Sequence, residues 1–299
     1  MQTEQELERL VANFINENLL HKDFSVTAKS HFVPLAEQIK MHHSSARKTY
    51  YVGINGCQGS GKSTLAAFLK TYLHNLYHLK VEVLSLDDFY LSQSERLSLS
   101  VKVHPLFKTR GVPGTHNMQL AKEVLKALAE EDAQIAIPKF SKATDNPYPK
   151  NKWPLHEGSA DIVILEGWCW GVKAQDEIAL KTPVNTLEQQ EDSLGVWRSY
   201  ANRQLKQHYQ PLYDVMDYWV MLKAPSFENV LSWRHEQEQK LALAVQGAPA
   251  NGVMNEEQIN NFIQYYQRLT AHGLATLPTD CNRVFELDGN RAIIAVHKS

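Results

Sequence analysis

The chain has 299 residues, of which 43% are hydrophobic and 21% charged, and its net charge is −2 at pH 7. That length carries one large domain or two small ones with an ample core, and the composition is that of an ordinary globular protein. The charge balance excludes a bulk electrostatic attraction to nucleic acid or to an anionic membrane.

The first ten residues, MQTEQELERL, are acidic and contain no apolar stretch of the kind a secretory signal needs. No run reaches the roughly 18 apolar residues of a membrane-spanning helix. Cys57, Cys169 and Cys281 lie far apart without C-x-x-C spacing, so neither a disulfide framework nor a zinc site is indicated. The expected compartment is a reducing cytoplasm. The oligomeric state is left open, with a monomer sufficient.

In chain order, residues 5–20 and 27–43 carry helical spacing. In the first, Leu7, Leu10, Val11, Phe14, Ile15 and Leu19 fall near i, i+3, i+4 positions. Residues 1–48 are therefore read as a helical extension and 49–299 as the main domain. Residues 49–55 predict a strand. Residues 63–77 predict a helix with Leu65, Phe68, Leu69, Tyr72, Leu73 and Leu76 on one side, and 80–86 predict a second strand. An amphipathic helix is expected over 117–131, with Asn117 as its N-cap. Residues 141–159 are rich in Pro, Lys and Asn, lack periodicity, and read as a long surface loop, a kind that is often functional. Residues 160–166 hold consecutive apolar residues, as in a strand covered on both faces. A strand over 215–223 precedes helices over 226–246 and 255–272, which are separated by a break at Gly247, Pro249 and Gly252. Residues 283–287 close the sheet. Strands alternating with helices imply an α/β fold in which helices flank a mostly parallel central sheet in three layers.

The most informative stretch is GINGCQGSGKST, residues 53–64, which follows the first predicted strand. It fits G-x-x-x-x-G-K-[ST] and identifies Gly56, Cys57, Gln58, Gly59, Ser60, Gly61, Lys62, Ser63 and Thr64 as a nucleotide site of the P-loop NTPase type. Glycines let successive backbone N–H groups turn into one concavity that holds phosphate. The helix that follows adds its unpaired N–H groups and the positive end of its dipole. Lys62 places a cation against the β- and γ-phosphates, and the Ser63 hydroxyl is a ligand for Mg²⁺, so ATP and Mg²⁺ are the expected cofactors. Cys57 lies inside the loop at a helix N-terminus, where thiolate character rises, so sensitivity to thiol reagents with protection by MgATP is expected.

In open parallel sheets ligands gather at the carboxyl ends of the strands. Asp87 and Asp88 end the second strand and Glu166 ends the third apolar strand, so all three are expected to face the glycine loop. Phosphoryl transfer needs such a set: a metal held by Ser63 and Glu166, and a carboxylate that takes the acceptor's proton. Asp87 and the Phe89-Tyr90 pair after it argue for an acceptor site. In RGVPGTHN, residues 110–117, Arg110 and His116 flank a kink at Gly111, Pro113 and Gly114, which suits a small anionic or hydroxylated substrate. Lys142 lies in the Pro-rich loop, and Arg234 lies in a helix from which it could fold over the phosphates as a lid.

The segments GINGCQGSGKSTLA, SLDDFYLS, RGVPGTH, PKFSKATDNPYP, VILEGWCWG, PVNTLE, WRHEQEQ and FELDGNR occur in the order found in D-glycerate 3-kinases of the plant and fungal type. The chain resembles that family, together with bacterial and yeast relatives, from about Gly53 to its C-terminus. The group looks related to phosphoribulokinase, uridine kinase and bacterial pantothenate kinase. The resemblance implies an ATP-dependent kinase that converts D-glycerate to 3-phosphoglycerate, with Asp87 in the position of the catalytic base. Phe140-Ser141-Lys142 stands where family members commonly have Phe/Tyr-Asp-Lys. Two other readings remain at this level: a kinase for a nucleoside, pantothenate-like or sugar-phosphate alcohol, and a nucleotide switch without an acceptor. Against the switch, no N-K-x-D guanine-reading motif is present.

Overall fold

The computed structural model describes residues 2–131, 134–244 and 254–298. Its elements in chain order are α1 (Gln2–Glu17), α2 (Phe24–Thr27), α3 (Val33–Ala46), β1 (Tyr50–Gly56), α4 (Lys62–Tyr77), β2 (Val81–Ser85), α5 (Gln93–Lys102), α6 (Met118–Ala127), β3 (Gln134–Ala136), β4 (Phe140–Ser141), β5 (Asn146–Pro147), β6 (Leu155–Glu157), β7 (Ile162–Gly167), α7 (Thr186–Glu191), α8 (Val196–Gln204), α9 (Gln210–Tyr213), β8 (Tyr218–Lys223), α10 (Phe227–Ala244), α11 (Glu256–Thr276), β9 (Arg283–Leu287) and β10 (Ile293–Lys298).

The main sheet has the order β10-β9-β8-β1-β7-β2, and every pairing is parallel except that of β10 with β9. β1 and β7 are buried along their whole lengths, as strands covered on both faces must be. Alternation along β1 assigns the two layers. The Tyr50 hydroxyl meets His42 of α3 on one face, and the Tyr51 hydroxyl donates to Leu125 O of α6 on the other. Gly53 is required inside β1, because a Cβ there would lie 2.5 Å from the Trp219 ring. The helices of residues 2–46 stack on α4: Phe14 stands edge-on to Phe68 at 5.3 Å and stacks on Phe24 at 5.7 Å.

Some elements differ from the sequence reading. Residues 141–159 are not one loop: β4 and β5 form a hairpin, and β6 pairs with β3. Strands of two or three residues are too short to show a period. The helix expected over 117–131 stops at Ala127, although Asn117 does cap it by accepting from Leu120 N. β9 does not close the sheet, since β10 adds an antiparallel edge. The strand expected from residue 215 begins at Tyr218. The sequence reading does not anticipate α5, α7, α8 or α9; α5 is serine-rich and is announced by a Ser92/Glu95 capping box more than by any apolar stripe. The break at Gly247, Pro249 and Gly252 lies outside the described residues. Among the described residues no helix is long and apolar enough to cross a membrane.

Phe14 is 2% exposed and touches two other rings, so Phe14→Ala should remove about 3–5 kcal/mol of stability, as large core truncations do. Urea unfolding followed by far-UV circular dichroism measures it; a midpoint equal to wild type would show that α1 is detached in solution.

Candidate functional site

The glycine loop grows out of the central strand. Asn55, buried at the end of β1, donates from Nδ2 to Trp168 O and Trp170 O, which fixes the strand end against the turn after β7. A Cβ on Gly56 would fall 2.5 Å from Ser60 Oγ, and Gly61 has φ of 91°, a left-handed value that L side chains rarely adopt. The loop closes through Ser60 N donating to Cys57 O at 3.2 Å. α4 then starts at Lys62 with Gly61 as an N-cap that offers no side-chain acceptor, so the first-turn N–H groups stay available to an anion.

Glu166 sits beside this loop. Its strand β7 lies between β1 and β2, and Glu166 registers with Ile54 on one side and Ser85 on the other. It is 4% exposed. Ser63 Oγ donates to Oε1 at 2.8 Å, while Oε2 makes no hydrogen bond among the described residues and stands 3.9 Å from Lys62 Nζ. A buried carboxylate oxygen without a hydrogen bond, next to a hydroxyl and an anion cradle, is the donor set expected of a Mg²⁺ site completed by phosphate and water. Among the described residues no cluster of three or more His, Cys, Asp and Glu could hold a metal by itself.

Asp87 lies in the single helical turn that follows β2. Burial alone would raise its carboxyl, but Lys142 and Lys62 outweigh burial and hold it below the ordinary carboxylate range. Lys142 Nζ is 2.7 Å from Oδ2. Asp88 has different partners. It accepts from Phe140 N at 3.1 Å and Lys139 Nζ at 2.7 Å, and so tethers the β4–β5 hairpin without joining the cluster around Asp87.

His116 and Tyr90 stack at 4.3 Å and both are buried. His116 Nδ1 meets the Tyr209 hydroxyl at 2.6 Å, and that hydroxyl also accepts from Gly114 N. The simplest proton assignment has Tyr209 donating to Nδ1, which leaves an N–H on Nε2; that atom is buried and has no hydrogen-bond partner among the described residues. Burial lowers the imidazole to about 3 against the pull of Asp87, so the ring is neutral at working pH.

Arg110 bonds through Nη1 to Asp145 Oδ1 and lies over the Phe140 ring at 5.6 Å. Asp145 Oδ2 is held by Arg96, a side chain only 1% exposed that also donates to Leu91 O and Lys108 O. Arg234, on α10, pairs with Glu238 and lies 5.5 Å from the Phe262 ring. Its charge, with those of Arg110 and Asp87, acts on the Tyr266 phenol, which burial pushes well up. Arg234 therefore borders the same space from the α10–α11 side. Gln58 and Thr64 are half-buried in and just after the loop.

The sequence reading missed Asp145, Arg96, Tyr209, Tyr266 and Arg291, whose Nε donates to Gly59 O of the loop. Asp145 and Arg291 do fall within the TDNPYP and FELDGNR segments, which are informative only as neighbours of other motifs. One expectation is overturned. Cys57 is 4% exposed, and burial raises its thiol to about 12 against the opposing pull of Lys62 and Arg291, so thiolate character falls instead of rising. At neutral pH the thiolate fraction is then roughly 10⁻⁴ or less. Alkylation of Cys57 by iodoacetamide, followed by peptide mass spectrometry, should be slow with or without MgATP and accelerate only on unfolding; rapid labelling of the folded protein would contradict this placement.

No protein-family model matches the chain. Over 266 residues it is 31% identical to the uncharacterized kinase mug58 of Schizosaccharomyces pombe, covering 84% of this chain and 92% of that one. It is 27% identical over 277 residues to the chloroplastic D-glycerate 3-kinase of Arabidopsis thaliana, covering 86% of this chain and 57% of that longer protein. Its fold matches the structure of D-glycerate 3-kinase from Cryptococcus neoformans var. grubii with a TM-score of 0.74 and 24% identity, over 90% of this chain and 99% of the other.

Proposed function

The chain belongs to the family of P-loop kinases that includes mug58 and D-glycerate 3-kinase, and from that premise we propose that it transfers the γ-phosphoryl group of ATP to the 3-hydroxyl of D-glycerate. The observation that carries the reading is Asp87, a carboxylate kept ionised by Lys142 and Lys62 at a strand end that also faces a neutral histidine. A switch has no use for such a group, whereas an alcohol acceptor does. In this reading residues 49–299 form the kinase domain, and 1–48 form a helical extension that braces α4 from behind. Its three cysteines, all buried and free, suit a reducing cytoplasm.

The loop from Gly56 to Ser63 cradles the phosphates, and Lys62 neutralises charge on the transferring group. Ser63 and Glu166 would hold Mg²⁺, which when bound would offset the negative charge of the nucleotide's phosphates. Lys142 occupies Asp87 Oδ2, and no hydrogen bond occupies Oδ1 among the described residues, so Oδ1 is the atom that takes the acceptor's hydroxyl proton. A carboxylate of lowered pKa is a weak base. That suffices, because phosphoryl transfer runs through a loose transition state in which orientation of the nucleophile matters more than early proton removal. The His116 Nε2–H donates to the acceptor. Arg110 keeps the rest of its guanidinium fork for a carboxylate, because Asp145 takes only Nη1. Arg234 stabilises charge developing on the transferred group.

A coupled ADP-release assay over glycerate, pantothenate, uridine and pentose phosphates tests the reading. Turnover that depends on millimolar glycerate supports it, and dependence on another alcohol reassigns the acceptor. Asp87→Asn should lower kcat roughly 10²-fold or more with ATP binding little changed, as loss of a general base does. Arg110→Ala should raise the KM for glycerate roughly 10- to 150-fold, one charged hydrogen bond being worth about 1.5–3 kcal/mol. A kcat defect at unaltered glycerate KM would move Arg110 to the phosphate. The pH dependence follows from the shifts. Asp87 is ionised above its lowered pKa and His116 is neutral above about 3, so neither contributes an acid limb to kcat/KM near neutrality. Their loss of function sets in only as pH falls through those values; a limb between about pH 6 and 7 that disappears in His116→Gln would contradict the neutral imidazole.

A further inference from the structure

We propose that Arg291 is a positioning residue for the nucleotide's phosphates: it locks the Gly59–Ser60 peptide of the glycine loop and ties that loop to α10, the helix carrying Arg234. The inference rests on the loop holding the phosphates of ATP and not on which acceptor is used.

Arg291 lies in the turn between β9 and β10. Asp288 builds that turn: its Oδ1 accepts from Asn290 N and Ala292 N at 2.8 Å each, and its backbone bonds to Ala292 and Arg291. Arg291 sits there at φ of 70°, a left-handed conformation that glycine or asparagine enters with less strain. The turn would therefore form more easily without it, and the reason for an arginine must lie in its side chain.

That side chain is gripped at three points. Nε donates to Gly59 O at 2.8 Å, Nη2 pairs with Glu236 Oε2 of α10 at 2.6 Å, and the guanidinium lies over Trp233 at 5.1 Å. Trp233 is itself fixed by donating from Nε1 to Gly289 O at 2.7 Å. The charge reaches into the loop, because Arg291 and Lys62 are the two cations that act on the Cys57 thiol.

The bond to Gly59 O has a geometric consequence. In a trans peptide the C=O and N–H point in opposite directions. Arg291 holds the carbonyl from one side while Ser60 N–H closes onto Cys57 O on the other, so this peptide cannot flip. Gly59 has φ of 78° and no side chain to restrain it, which makes its peptide the natural place for the loop to lose shape. Locking it preserves the direction of the N–H groups that follow, from Gly61 into α4. The Glu236 contact makes the same lock depend on where α10 sits.

The test measures binding of MgATP, ADP and adenosine to the full chain by calorimetry or competition, with steady-state kinetics, for wild type, Arg291→Ala, Arg291→Lys and Glu236→Gln. Arg291→Ala should weaken MgATP and ADP roughly 10- to 100-fold, as loss of a charge-assisted bond does, and leave adenosine and the acceptor KM within about twofold. Arg291→Lys should recover little, because an ammonium cannot span Gly59 O and Glu236 as the guanidinium fork does. Glu236→Gln should shift MgATP in the same direction by a smaller factor, and it carries the test if Arg291→Ala fails to fold. Unchanged MgATP affinity in folded Arg291→Ala, or adenosine weakened by the same factor as ATP, overturns the proposal alone. Wild-type protein that binds no MgATP overturns the nucleotide reading and this proposal with it.

Discussion

A carboxylate buried at the meeting point of three strand ends is the constraint on which the rest of the site depends. Glu166 registers with both β1 and β2 and is almost fully withdrawn from water. A buried charge is tolerated only when it is paired and hydrogen-bonded, and removing its partners costs several kcal/mol. Here the partners are Ser63 and Lys62, the first residues of α4, so the anion and the start of the phosphate-loop helix hold each other in place. The sheet order follows from the same need. With β7 inserted between β1 and β2, Glu166 lies against the loop and Asp87 follows one strand further out.

The surroundings of Asp87 are assembled from anion–cation pairs that all run to one short segment. Asp87 meets Lys142, Asp88 meets Lys139 and the Phe140 amide, and Asp145 joins Arg96 to Arg110. The Arg96–Asp145 pair is the most withdrawn from water on its cationic side, Arg96 being 1% exposed, which strengthens it relative to a surface pair. Together the pairs draw the β4–β5 hairpin over the end of β2. Asp145 shares its charge between two guanidinium groups, so the trio carries a net positive charge beside Asp87. That excess suits an anionic acceptor, and it requires no acidic residue at position 141, where Ser141 accepts from Thr144 N and shapes the hairpin turn instead.

Much of this was legible in the sequence because it is local. The loop glycines, Lys62 and Ser63 sit at fixed spacings, and the apolar runs of β1 and β7 report double burial directly. The failures have a physical pattern. The sequence reading groups Asp88 with Asp87 because adjacent residues share a strand end, yet Asp88 accepts from Phe140 N and Lys139 Nζ and is spent on the hairpin. The sequence reading takes Cys57 from its place at a helix N-terminus, but its desolvation outweighs the lowering by Lys62, the backbone and Arg291. Arg291 and Asp145 act on residues 232 and 35 positions away, and no periodicity encodes a pairing of that separation. The β3–β6 and β4–β5 pairs fail for a simpler reason: strands of two or three residues are too short for an alternation to repeat.

The surroundings of Asp87 show how one group is kept charged by keeping its neighbours neutral. Burial raises the phenols of Tyr90 and Tyr266 and the thiol of Cys169, and Asp87's own charge raises each of them further. None of these three groups therefore ionises beside it near neutral pH. His116 completes the set from the opposite sign. Its imidazole is depressed to about 3, so the folded protein holds it neutral while the unfolded chain protonates it near 6.5. The stabilisation linked to this group is present above 6.5 and is lost progressively as pH falls toward 3. Asp87, whose pKa is also lowered, loses its contribution only below the ordinary carboxylate range. The two shifts have the same sign but different windows, so on acidification the histidine weakens the fold before Asp87 is protonated. The neutral imidazole of His116 is thus maintained at the expense of acid stability: burial strips the histidine of its charge, whereas Lys142 and Lys62 keep the charge on Asp87.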